Sequence, residues 1–126
     1  MSDKDTIAAI STAHGKSAIG VIRVSGQNVQ SIINEFVGRK PKPRFATNVE
    51  IRDKKNISID DVIVIYFKAP SSYTGEDMLE IQSHGNPITM DFILENICSS
   101  HARISRPGEF TERAFLNNKI DLVQAE

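Results

Sequence analysis

Three charges stand where an ordinary packed domain would not need them. Arg23 lies in an otherwise apolar run, Ile19 to Val24, on the face shared by Ile19 and Val21. A guanidinium there must find a carboxylate, carbonyls or a ligand, because an unpaired buried charge is costly. An edge-strand ion pair or a snorkelling stem would satisfy it equally well. Glu80 sits between Leu79 and Ile81, facing the same way as Met78 and Gln82. A carboxylate accepting two parallel N–H bonds is how proteins grip guanidine-like or pterin-like edges, and a solvent-facing Glu on a half-exposed strand is the plainer reading. Lys119 falls in the turn Asn117-Asn118-Lys119-Ile120-Asp121, where it could clamp an anionic ligand or simply be solvated. His84-Gly85 lies between a strand and a helix start, a place where ligands collect.

Other chemistry is harder to build. Gly15-Lys16-Ser17 has the ending of a phosphate loop, but that loop needs a glycine where Ile10 stands and a helix where Ala18 to Ile22 reads as strand. His14 and His101 lack paired ligand spacing. With one cysteine, Cys98, no site with two or more thiolates can form, and neither can an intrachain disulfide. No nucleophile–base pair and no metal motif emerges, so catalytic and metal residues are expected to be none.

The elements that must position these residues follow from periodicity. Ile7 to Ile10 and Ile19 to Ser25 are short and β-branched, and read as strands. Val29, Ile32, Ile33, Phe36 and Val37 form one helical stripe, with Gly38 at the helix end. Phe45 to Ile51 is a weaker strand. Ile57 to Phe67 is a stronger one, apolar on both faces in its second half, and so expected to lie centrally and be covered on both sides. Ala69 to Gly75 is turn chemistry, and Met78 to Ser83 alternates as a strand. Asn86-Pro87 opens a helix running to about Cys98. Ala102 to Ser105 is a short strand. Pro107 starts a helix from Gly108 to about Asn117, in which Glu109 and Arg113 are an i, i+4 pair. Asp121 to Gln124 reads as a capping box opening a helix that the chain does not complete, as though it were cut there. Adjacent strands imply hairpins, so the expected fold is α+β with a mixed sheet and about three helices.

Composition agrees with one folded domain. The chain has 126 residues, 40% hydrophobic and 25% charged, with a net charge of −1. That balance excludes nucleic-acid binding driven by a large overall positive field but leaves a local patch open. The longest apolar run, Val62 to Phe67, is far short of the ~20 residues that span a bilayer, and the first residues do not form a signal peptide. A reducing, cytoplasmic setting is expected. The Lys-Pro segment from Arg39 to Arg44 reads as an extended loop, too short to separate domains.

Longer runs carry a resemblance. Asp5 to Ile10 with Ile19 to Gly26, then Ala69-Pro70-Ser71-Ser72-Tyr73-Thr74-Gly75-Glu76-Asp77 through Glu80 and His84-Gly85, then Arg106 to Asn117 and Asp121 to Glu126, resemble the MnmE (TrmE) family of bacterial tRNA modification GTPases across the whole chain. The resemblance implies an N-terminal domain at 1–120, with 121–126 the start of a helical domain. It implies a fold similar to the tetrahydrofolate-binding domain of aminomethyltransferases. It further implies binding of 5-formyl- or 5,10-methylene-tetrahydrofolate, and homodimerisation. Arg23, Glu80 and Lys119 match the positions where the family places folate contacts. The family works with the flavoprotein MnmG to add an aminomethyl or carboxymethylaminomethyl group to carbon 5 of the tRNA wobble uridine. Its GTPase, dependent on magnesium and potassium, belongs to a domain outside these residues, so this chain alone is expected to be inactive. Ala13-His14-Gly15, Thr111 and Asn118 depart from the family's usual Pro-Pro-Gly, Ser and Asp. An assembly module without ligand, or a tRNA-contacting domain, are the competing functions.

Overall fold

A computed structural model describes residues 5–11 and 19–119. Six strands form one mixed sheet: β1 (Ile7–Ile10), β2 (Ile19–Ser25), β3 (Thr47–Arg52), β4 (Ser58–Phe67), β5 (Met78–His84) and β6 (Arg103–Ile104). Their order across the sheet is β3-β4-β5-β2-β1-β6. Every neighbouring pair is antiparallel except β1 with β6, which is parallel. The three helices are α1 (Val29–Ile32), whose last turn widens into a π-helical segment at Ile33–Val37, α2 (Pro87–Cys98) and α3 (Glu109–Leu116). The α+β class, the mixed sheet and the helix number agree with the periodicity. The capping box at 121–124 and the Gly15-Lys16-Ser17 triplet lie outside the described residues.

Strand alternation sorts the sheet into two faces. Ile22 pairs with Ile81 and Val24 with Leu79, while Val64 and Tyr66 continue the same rows on β4. All are buried under α1 and α2, whose Val29, Ile32, Ile33, Phe36, Met90, Ile93 and Ile97 complete the core. The stripe read from sequence is therefore the core face of α1 and its π turn. Gly38 takes the left-handed φ of 81° expected at that helix end. Asn86 caps α2, its side chain accepting from the Ile88 amide at 2.9 Å, with Pro87 in the first turn.

Two expectations need correction. β3 begins at Thr47 and ends at Arg52, rather than running from Phe45 to Ile51. The centre of the sheet is β5–β2, with β4 one place further out. Ile63, Ile65 and Phe67 lie on the face away from α1 and α2, and Ile63 remains 40% exposed. Among the described residues, α3 and the β4–β5 loop fold over one end of that second face.

Candidate functional site

The uncovered face brings Arg23 and Glu80 together. They are directly opposed across β2 and β5, the two central strands, and Arg23 Nε lies 3.5 Å from Glu80 Oε1. The ion pair uses little of either group. The Arg23 side chain is 48% exposed, and among the described residues it makes no hydrogen bond. Glu80 accepts one long bond, from Gln82 Nε2 at 3.3 Å. Both charges thus keep hydrogen-bonding capacity directed at the open face.

The β4–β5 loop supplies a wall beside them. It is braced internally: the Ala69 amide donates to Asp77 Oδ1 at 2.8 Å, and the Ser72 hydroxyl donates to the Glu76 carbonyl. This bracing projects Tyr73, whose hydroxyl meets Thr111 Oγ1 of α3 at 3.0 Å. Arg23, Phe67, Tyr73, Met78 and Glu80 line a cavity of about 160 Å³. A second cavity of about 410 Å³ adjoins Arg23 and Tyr73 and runs past Ile10 to Arg106, Gly108 and Phe110. Together they reach the ~300–1,000 Å³ range of small-molecule sites.

α3 is fixed by a buried ionic network. Glu109 is 1% exposed and accepts from Arg103 Nη1 and Nη2 at 2.9 and 2.6 Å, and from the Arg106 amide at 2.8 Å. Arg113, 2% exposed, donates to Glu76 at 3.1 and 3.2 Å and lies 3.5 Å from Glu109 Oε2. Ser25 donates to the other side of this chain, to Glu76 Oε1 at 2.7 Å. The helical pair read from sequence is thus part of a network, Arg103, Arg106, Glu109, Arg113, Glu76 and Ser25, that ties α3 and the β4–β5 loop to β2. The Arg103 bonds, against the cost of burial, and the Arg106 backbone and side chain hold the Glu109 carboxyl far below the usual carboxylate range.

Lys119 is placed differently. Its amide donates to the Ala114 carbonyl at 2.8 Å, just past α3, and its stem passes close to Gly75, where an added Cβ would meet Lys119 Cγ at 3.2 Å. It belongs to the loop–α3 rim, lines neither cavity beside Arg23, and has no ion-pair partner among the described residues. His84 is engaged elsewhere: its Nδ1 lies 3.1 Å from both Asp60 oxygens, on an exposed ring at the far end of β5. No group of three metal-capable side chains occurs among the described residues. Tyr73 and Phe67 were missed by the charge-led reading. The available signal was an aromatic isolated in the Ser/Thr/Gly-rich run Ala69 to Gly75.

Comparison with known proteins gives this geometry a family. Residues 6–119 match the family described as GTP-binding protein TrmE N-terminus. The chain is 52% identical over 122 residues to the tRNA modification GTPase MnmE of Coxiella burnetii (strain RSA 493 / Nine Mile phase I), covering 97% of this chain and 27% of that protein. It is 52% identical over 126 residues to the protein of the same name from Nitrosospira multiformis, covering 100% and 28%. For Marinobacter nauticus the identity is 50% over 122 residues. The chain spans about a quarter of the length of these curated relatives. With the match running from the residue before β1 to three residues past α3, the chain belongs to the TrmE N-terminus family, that of the N-terminal domain of the tRNA modification GTPase MnmE.

Proposed function

We propose that this chain binds a reduced folate, 5-formyl- or 5,10-methylene-tetrahydrofolate, on the open face of its sheet, and that it forms a homodimer. The observation that carries the folate reading is the Arg23–Glu80 pair across the two central strands, under-used by its own ion pair and flanked by Tyr73 and Phe67. A pterin edge presents adjacent N–H donors and a carbonyl. Glu80 would accept the donors, Arg23 would donate to the carbonyl, and Lys119 on the rim would meet carboxylate oxygens of the tail. Tyr73, Phe67 and Met78 supply the apolar walls that a flat bicycle needs. When bound, the folate would carry the one-carbon unit; the residues here hold and orient it. The fold is proposed to share the plan of aminomethyltransferase folate domains.

The wider function follows the family. In a full-length protein, GTP, magnesium and potassium would serve a separate GTPase domain. With the flavoprotein MnmG, that protein would install the carboxymethylaminomethyl or aminomethyl group at carbon 5 of the tRNA wobble uridine, in the cytoplasm. The present chain would not hydrolyse GTP alone.

Calorimetric titration with 5-formyltetrahydrofolate tests the site. Each charged hydrogen bond is worth ~1.5–3 kcal/mol, so Glu80→Ala and Arg23→Ala should each weaken binding about tenfold or more. Near-unchanged affinity in both variants overturns the assignment. An absence of heat from the unsubstituted chain favours the competing reading, an assembly module without ligand.

A further inference from the structure

Away from the Arg23–Glu80 cavity, the segment between α1 and β3 concentrates positive charge. Arg39-Lys40-Pro41-Lys42-Pro43-Arg44 places four cations in six residues with no carboxylate among them, in a chain whose net charge is −1. All four are exposed, while Pro41 is buried and seats the segment. The Arg44 amide donates to the Tyr66 carbonyl at 2.7 Å, which pins the segment to β4. Neutral groups hold three of the four cationic heads. Arg39 Nη2 donates to the Asn48 carbonyl at 2.9 Å, and Arg44 Nη1 to the Ser71 carbonyl at 3.3 Å. Lys42 Nζ lies 4.7 Å from the centre of the Phe45 ring, and the Arg44 guanidinium 5.6 Å from that of Phe67. Among the described residues, none of the four pairs with a carboxylate. A solvated face ordinarily mixes charge signs, whereas this segment keeps one sign and a backbone stiffened by two prolines.

We infer that this segment is a contact for RNA phosphates and that tRNA docks along the β3 side of the sheet. The choice of RNA rests on the proposed tRNA reaction; the folate site does not enter it. Clustered, pre-positioned Lys and Arg without competing carboxylates neutralise phosphates and release counterions, a sequence-independent attraction. Phe45, 57% exposed beside Lys42, adds a ring surface of the kind that stacks on an unpaired base. The near-zero net charge does not oppose this, because the Debye length is only ~8 Å at physiological salt and a local patch acts locally.

The test is a salt series of tRNA filter binding, with the chain and with a triple variant, Arg39→Gln, Lys40→Gln and Lys42→Gln. Arg44 is kept because it lies over Phe67, a wall of the folate cavity. Four engaged cations give a slope of log affinity on log salt of about −3 to −4, and the variant's slope should be near −1, with at least ~tenfold weaker binding at low salt. A single Lys40→Glu change, at a side chain that makes no hydrogen bond or ion pair among the described residues, should weaken binding at least ~threefold and guards against misfolding of the triple variant. Folate heats should be the same in all these chains. No retention of tRNA at low salt, or equal slopes in the chain and the triple variant, overturns the inference. Displacement of tRNA by poly-glutamate as readily as by a second RNA assigns the patch to an acidic protein partner and also overturns it. A failed folate titration with the salt slopes intact overturns the folate reading alone.

Discussion

Glu109 is the residue on which most side chains converge. Its carboxylate, 1% exposed, serves Arg103, Arg106 and Arg113 at once. Removing one partner of a buried ionic cluster leaves uncompensated charge and costs ~3–5 kcal/mol. Glu109→Ala is therefore expected to lose about that much in urea unfolding. Its pKa is lowered on folding, so its contribution is complete above the unfolded value of 4.5 and fades as pH falls toward the lower folded value. Asp60 acts in the same direction: burial opposes ionisation, but bonds from Ser83 and His84 win and hold it low. Stability should fall below about pH 4.5, and Glu109→Gln should flatten much of that acid limb; an unchanged limb would refute the linkage. At this scale the sequence was legible for charges out of pattern. Arg23 and Glu80 stood out because an apolar alternation exposes a misplaced ion. Tyr73 did not, since nothing in a turn-rich run says that it will be braced against α3.

Between residue and fold, the tight crossing from β2 into α1 depends on Gly26. It adopts φ 140°, and a Cβ there would lie 2.6 Å from the Thr6 Cα, a backbone atom that cannot step aside. Its amide donates to the Asp77 carbonyl at 3.0 Å, so the crossing also anchors the end of the β4–β5 loop. Gly26→Ala should cost at least ~2 kcal/mol and weaken folate binding as well, whereas Asn86→Ala, which loses only the α2 cap, should cost ~1 kcal/mol and leave binding intact. Matched thermal melts and titrations separate the two effects. Elements such as β2, β5 and α2 could be read from periodicity because one face of each meets the core. β4 misled for a physical reason. Alternation shows that Ile63, Ile65 and Phe67 form an apolar face, but a face kept for a ligand or another chain has the same pattern as one kept for a helix. The π-helical turn was illegible because its stripe is also that of an α-helix; what marks it is the Gly38 amide donating five residues back, to the Ile33 carbonyl at 3.0 Å.

Across the whole molecule, the open sheet face divides into two ends. Near α3 it carries Arg23, Glu80 and the Tyr73 wall. At the other end Ile19 and Ile63 stay 55% and 40% exposed, around a groove of about 390 Å³ that also includes Asn48, Gln82 and His84. An exposed apolar pair on a sheet face is where a second copy of this chain would bury surface, and the proposed homodimer is predicted to use it. A stable interface takes ~800 Å² from each partner, about a tenth of the 7425 Å² accessible here. A lysine at either position would bring like charges across a two-fold contact and leave them desolvated. Ile19→Lys combined with Ile63→Lys should therefore shift the chain from dimer to monomer in light scattering after size exclusion. Because the two residues lie at the far end from α3, the folate heat per chain should survive if each protomer binds on its own. Loss of both the dimer and the heat would mean that the partner helps to build the pocket. A dimer that persists in the double variant, with its dissociation constant unchanged, would move the contact off this face.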